Sequence, residues 1–308
     1  MVAIISSQWV GRFGNRMHQY AYGCTYSKKN NVPFLVPSEW EGTKLFKNKK
    51  HSLLDFHIRE ELKNSSYTRE ERNCILKKYI HNIEVVYPDR GSFLYQSSNI
   101  PICIDDICAY NQNIFLGMNR KELLELFEFS DEVKNTEAYK YWESKAGTYD
   151  IAHLRRDDIA DVEYNKKHVQ GYSVISKTSY VNAILKNGYR LNDVQWTSDD
   201  YERKWHKDRE ETELFGWEYP EGSVYREGPM FDWLEDFLRL YFARTIFRAN
   251  SSFSWWAAFL SPTAKVYSPV LDKQSIYGRD GIMHEISVDF VEGNHPHWMY
   301  GNNDILIN

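Results

Sequence analysis

At 308 residues the chain is too long for one small core, and a prior of roughly 100 to 200 residues per domain favours two domains. Hydrophobic residues make up 42% and charged residues 26%, a soluble globular balance that leaves out disordered classes, and no run reaches the ~18 apolar residues of a membrane span. A net charge of −5 without a long basic stripe removes electrostatic support for general nucleic-acid binding.

The first residues, Met1 to Ser7, lack the charged start and cleavage region of a signal peptide. Cys24, Cys74, Cys103 and Cys108 form neither CxxC pairs nor a dense disulfide framework, so a reducing, cytoplasmic setting is expected, with peripheral membrane association left open. Val2-Ala3-Ile4-Ile5 reads as a strand, Gly11-Arg12-Phe13-Gly14-Asn15 as a turn, Arg16 to Lys28 as a helix and Val32 to Val36 as a second strand, which together make one βαβ unit. Residues 40 to 120 are less regular, with candidate strands at Ile83 to Val86 and Ile114 to Leu116. Lys47-Asn48-Lys49-Lys50-His51 reads as a solvated basic loop. A charged helical stretch from Lys121 to Lys145 follows, and the chain near Gly147 is the candidate hinge between two halves.

The second half alternates regularly. Strands are expected at Tyr149 to Leu154, Val194 to Thr197, Thr245 to Ala249 and Lys265 to Tyr267, and helices at Ser179 to Lys186, Trp233 to Phe242 and Ser252 to Leu260. This is the pattern of a doubly wound parallel sheet, which binds ligands outside the carboxyl ends of its strands. Residues 201 to 230 are expected to form a loop region near that ligand. A high aromatic content, 16%, suits the recognition of flat polar ligands such as sugars.

Three segments fall at strand ends. Asn250-Ser251-Ser252-Phe253-Ser254 sits where a strand hands over to a helix, and the free N–H groups and dipole there favour an anion or phosphate. Simple helix capping by Ser251 or Ser252, with Trp255 and Trp256 filling a core, is the competing explanation. His153-Leu154-Arg155-Arg156-Asp157-Asp158 offers two arginines suited to a diphosphate, or an ion-paired surface turn. Thr197-Ser198-Asp199-Asp200 resembles an acidic metal-binding motif, yet a carboxylate there could equally accept hydrogen bonds from guanine, or cap a helix. His295-Pro296-His297-Trp298 reads as a loop rather than a metal site.

Taken in order and spacing, Gly11 to Ala21, His153 to Asp158, Ser198-Asp199-Asp200 and Asn250 to Ala258 resemble family 11 glycosyltransferases, the α1,2-fucosyltransferases. The resemblance implies an α/β, GT-B-type architecture of two Rossmann-like domains facing a cleft, with residues 1–145 on the acceptor side and 146–308 binding the nucleotide sugar. It implies an inverting, metal-independent transfer of L-fucose from GDP-β-L-fucose to a sugar hydroxyl of a glycan acceptor, with no cofactor beyond that donor substrate. By similarity with the wider fucosyltransferase superfamily, including the protein O-fucosyltransferases and the α1,6 enzymes, Arg155 would bind the diphosphate with help from Arg156, Asp200 would read guanine, Ser252 and Ser254 would hold phosphate, and Asn15 would lie near the acceptor and leaving group. Gly14, His153, Ser198, Asp199, Asn250 and Ser251 complete the expected binding set, and no metal ligand is expected.

A single displacement also needs a base for the acceptor proton. Of Asp158, Asp161 and Glu163, resemblance to the α1,6-fucosyltransferases ranks Glu163 first, at the same offset from the arginine pair as the base proposed there, with Asp158 second; Asp161 reads better as a solvated loop residue. The chain departs from the family at Asp157, where Gly is usual, and at Arg16 and His18, where Gln and Phe are usual. An unpaired carboxylate at Asp157 beside the diphosphate would cost roughly a few kcal/mol at an effective dielectric of ~20, or it could accept a donor-sugar hydroxyl. The donor therefore stays open to another GDP-hexose or a xylose donor. A catalytically silent sugar- or nucleotide-binding module predicts binding without turnover. Acceptor recognition is expected within residues 30 to 120.

Overall fold

A computed structural model describes residues 4–6, 9, 11–36, 40–62, 68–80, 84–86, 102–104, 118–156, 174–198, 231, 233–271 and 285–295. The chain divides into two compact units, Met1–Lys134 and Asn135–Asn308. No helix among the described residues is long and apolar enough to cross a membrane.

The first unit carries a five-stranded parallel sheet in the order β3-β2-β1-β5-β4, built from β1 (Ile4–Ser6), β2 (Phe34–Val36), β3 (Ser52–Leu53), β4 (Glu84–Val86) and β5 (Ile102–Ile104). Helix α1 (Phe13–Asn30) joins β1 to β2. It starts earlier than its sequence pattern indicates, because the Arg12 carbonyl already accepts from the amides of Asn15 and Arg16. Gly11 precedes it at φ +69°, and a Cβ there would stand 2.3 Å from the Asn15 amide nitrogen, so only glycine fits. Asn31 ends the helix in the left-handed conformation and donates to the Ser27 carbonyl. Between these ends α1 is buried on nearly every side: Phe34, Trp40 and Phe127 pack their rings against its Tyr20, and Phe46 packs against its Phe13. Much of the aromatic content therefore fills core rather than facing a ligand.

Residues that read as irregular contain α2 (Gly42–Leu45), α3 (Phe56–Leu62) and α4 (Arg69–Tyr79). A reciprocal capping box between Thr68 and Glu71 starts α4. The charged stretch expected as one helix is three: α5 (Arg120–Leu126), α6 (Asp131–Lys134) and α7 (Glu137–Ser144). Asn119 caps α5 and Thr136 caps α7, each restarting the helix, and the unit boundary lies just ahead of α7. The strand expected at 114–116 lies outside the described residues.

The second unit carries a five-stranded sheet in the order β12-β10-β9-β6-β8. Its strands are β6 (Asp150–Leu154), β8 (Val194–Ser198), β9 (Thr245–Phe247), β10 (Lys265–Pro269) and β12 (Phe290–Glu292). Helices α8 (Lys177–Lys186), α9 (Leu234–Tyr241) and α10 (Ser252–Leu260) connect them. The sheet is not wholly parallel as expected: β12 pairs antiparallel with β10 and places Phe290 in the core beside Phe247 and Tyr180. A separate parallel pair joins β7 (Val174–Ile175) to β11 (Glu285–Ile286). Helix α10 is buried throughout except at half-buried Phe253, which explains why its sequence is apolar all round. Two α/β units with parallel sheets agree with the α/β, GT-B-type class. The loop expected over 201–230 lies outside the described residues.

Candidate active site

Strands β6 and β9 are neighbours at the centre of the second sheet, but the chain leaves them in opposite directions, from β6 through α8 to β8 and from β9 through α10 to β10. Their carboxyl ends therefore flank a topological switch point, the place where an open α/β sheet leaves a crevice for a ligand. Half-buried Arg155, just past β6, donates from Nη1 to the Asn250 carbonyl, just past β9, over 3.1 Å. This bond links the two strand ends at the switch point and sets a guanidinium beside the start of α10.

Arg155 and Arg156 directly follow β6, and the two side chains differ in burial, Arg155 being half-buried and Arg156 fully buried. Arg156 turns inward, is 1% exposed, and donates to the carbonyls of Arg155 over 3.1 Å and Ile175 over 3.0 Å. It clamps the main chain of Arg155 to the end of β7. His153 is buried on β6, with its ring 6.0 Å from that of Phe253, and its carbonyl accepts from the Tyr180 hydroxyl.

At the start of α10, the Ser251 hydroxyl accepts from the Phe253 amide over 3.3 Å, and the Ser254 hydroxyl donates to the Ser251 carbonyl over 3.2 Å. Ser251 and Ser254 thus shape the helix start, and Ser254 is fully buried. Asn250 and Ser252 line the same turn, each 9% exposed. The positive end of the α10 dipole is directed at the crevice.

Ser198 ends β8, and the preceding Thr197 donates to Asp236 Oδ1 over 2.7 Å. Asp236 is 6% exposed and pairs with Arg239, whose guanidinium also reaches the Trp196 carbonyl and lies 5.3 Å over the Trp142 ring. This buried network ties α9 to the end of β8, and sequence reasoning missed it. Its one visible signal was an acidic and a basic residue three apart on an otherwise apolar helix face. Arg248 was missed as well. Burial lowers its guanidinium pKa to about 9, which leaves it charged at neutral pH.

Gly14 and Asn15 fall in the first unit, in the opening turn of α1 beyond the carboxyl end of β1. Two of the three sequence departures noted above, Arg16 and His18, serve that turn. Arg16 donates from Nε to the Gly11 carbonyl over 2.9 Å and forms an ion pair with Glu41. Burial raises the Glu41 carboxyl, and Arg16 opposes that shift. His18 donates from Nδ1 to the Gly14 carbonyl over 3.1 Å, and burial pushes its pKa down to about 4, so the ring is neutral at physiological pH.

Asp157, Asp158, Asp161, Glu163, Asp199, Asp200 and His297 lie outside the described residues. Among the described residues no group of three His, Cys, Asp or Glu could hold a metal ion. His295 is engaged locally: its amide donates to Ser268 Oγ over 3.1 Å and its ring to the Glu292 carbonyl over 2.9 Å.

No protein-family model matches the sequence, and no curated protein matches it. Solved structures do share its fold. The NodZ α-1,6-fucosyltransferase co-crystallized with GDP has a TM-score of 0.50 at 14% identity, over 95% of this chain and 99% of that one. Fucosyltransferase NodZ from Bradyrhizobium, in selenomethionine form, gives 0.48 at 14% identity over 95% and 99% of the two chains. A mutant of FUT1 from Arabidopsis thaliana in complex with GDP gives 0.48 at 11% identity over 94% and 74%. The chain thus has the GT-B-like α/β fold of NodZ.

Proposed function

We propose that this chain is an inverting glycosyltransferase that moves L-fucose from GDP-β-L-fucose to a sugar hydroxyl, forming an α1,2 linkage without a metal. The observation that carries the reading is the Arg155–Asn250 bridge beside the α10 start, because a fixed cation and a helix N-terminus converge where this fold takes its ligand. The NodZ structure of similar fold was co-crystallized with GDP, which agrees with a nucleoside diphosphate in that crevice. The linkage and the inversion rest on the sequence motifs alone.

Arg155 and the amides at Ser252 bind the diphosphate and stabilise the departing GDP as negative charge develops on it. Arg156 acts through the main chain of Arg155 that it clamps. Asp200 reads guanine, and Ser198 and Asp199 complete that edge. Glu163, or Asp158 after it, takes the acceptor proton. The N-terminal part of the chain serves the acceptor, with Asn15 near the reacting hydroxyl, and the C-terminal part serves the donor.

Calorimetric titration with GDP, GDP-fucose, GDP-mannose, UDP and UDP-xylose, in EDTA and again with Mg²⁺ or Mn²⁺, tests the reading. Expected is GDP and GDP-fucose binding that ignores EDTA and is lost in Arg155→Ala. A preference for UDP, or a strict need for metal, overturns the guanine role of Asp200 and the arginine-only neutralisation. Asp157 keeps another GDP-hexose or a xylose donor as the second reading, and the same panel decides it. Donor binding with no donor hydrolysis and no transfer to any sugar acceptor in a product assay would instead identify a silent binding module.

A further inference from the structure

Arg248 follows β9 directly and precedes the Ala249–Ser251 turn. Its guanidinium, 0% exposed, is a three-way clamp: Nε donates to Ser268 Oγ over 2.8 Å, Nη1 to the Ala249 carbonyl over 3.1 Å, and Nη2 to the His295 carbonyl. Ser268 extends the clamp, since its hydroxyl donates to the Gly293 carbonyl over 2.6 Å and accepts from the His295 amide over 3.1 Å. Asn294, between them, donates to the Trp255 carbonyl on α10 over 3.1 Å. The segment 293–295 is thereby bonded to the turn at one end and to the helix it opens into at the other. All of these acceptors are neutral oxygens, so directed hydrogen bonds orient the guanidinium.

We propose that Arg248 is a positioning residue for the donor crevice. By tying the Ala249 carbonyl to β10 and to segment 293–295, it fixes the Asn250 carbonyl that receives Arg155 and the start of α10 that meets the diphosphate. The inference rests on the nucleoside-diphosphate reading given above. Arg248 is fully buried and acts on the ligand through the turn rather than by contact. A fixed turn matters because anion-binding amides and the Arg155 fork must hold one geometry together.

Ser268→Ala gives the cleanest test, because it removes a shared oxygen of the clamp and leaves the Arg248 charge intact. GDP affinity by calorimetry, melting temperature, and hydrogen exchange of the amides in 249–254 are measured in the full chain of the wild type, Ser268→Ala and Arg248→Lys. Expected is a rise of about tenfold in the GDP dissociation constant, the scale of one displaced charge-assisted hydrogen bond, with faster exchange at 249–254 and a retained cooperative melt. Arg248→Lys keeps the charge but loses the fork, so it weakens GDP binding likewise; full rescue by Lys overturns positioning in favour of a plain charge effect. Unchanged GDP affinity in Ser268→Ala, in a wild type that does bind GDP, overturns this inference alone. No GDP binding by the wild type overturns the donor reading and this inference together.

Discussion

Arg155 reaches across the switch point of the second sheet to the main-chain carbonyl of Asn250, over 3.1 Å. The bond joins the ends of two neighbouring strands from which the chain departs in opposite directions, and it holds the guanidinium at the start of α10. A residue placed in this way stabilises the fold only slightly. The net contribution of one such hydrogen bond is about 1 to 2 kcal/mol.

Arg155→Ala is therefore expected to separate binding from stability. In the proposed role, GDP affinity should fall by at least about 100-fold, from the loss of a charged partner for the diphosphate, while the melting temperature moves by only a few degrees. Arg155→Lys should recover part of the affinity. Calorimetry and thermal melting on the same samples check this, and a large loss of stability with intact affinity would reverse the assignment.

His18 gives the first unit a pH dependence of known sign. Its folded-state pKa is depressed by burial from 6.5 to about 4. Between those values the unfolded chain binds the proton and the folded chain does not, so stability is full above about 6.5 and falls as pH drops toward 4. The loss is on the order of 3 kcal/mol. Urea titrations at pH 7 and pH 4.5 should show a smaller decline in His18→Gln than in the wild type; parallel declines would count against it.

Gly11→Ala should destabilise the first unit by roughly 1 to 3 kcal/mol, because the residue sits at φ +69° and its new Cβ would meet the Asn15 side chain. The effect should appear in the denaturant midpoint. In the proposed role, the same substitution also displaces Asn15, so transfer activity should fall by more than the folded fraction does.

The Asp236 network offers a double-mutant test. Asp236→Ala leaves Arg239 buried without that carboxylate and should cost about 3 to 5 kcal/mol, whereas Thr197→Val, which removes one hydrogen bond, should cost about 1 kcal/mol. Because both changes touch the same oxygen, the double mutant should be less destabilised than the sum of the two. Additivity would show that Thr197 and Asp236 act independently.

The elements easiest to read from sequence were those with unambiguous periods and ends. Helix α10 carries its serine cap and a run of apolar residues, and its bounds, Ser252–Leu260, agree with the expectation. The strands β6, β8 and β9 were legible because short apolar runs end there in polar motifs. Legibility failed where local chemistry competed. Lys121 to Lys145 has continuous helical propensity, yet Thr136 offers its side chain to the Tyr139 amide and starts a new helix. The short runs at β5 and β12 carry too few residues for a period, and pairing, of β5 with β1 and β4 and of β12 with β10, makes them strands. At the site, residue types pointed to an anion but not to orientation. That Arg156 turns inward depends on the Ile175 carbonyl 19 residues away, and that Arg248 clamps a remote segment depends on contacts 20 and 47 residues away in sequence.

The antiparallel strand β12 has a further consequence during synthesis. Until residues 290–292 have left the ribosome, β10 has a partner only on its β9 side, and its other edge presents a row of open main-chain groups. A nascent chain that already holds β6, β8, β9 and β10 is thus a template for pairing with another nascent chain. Truncation ahead of Phe290 should turn that transient hazard into a permanent one, yielding aggregated material rather than a smaller folded chain.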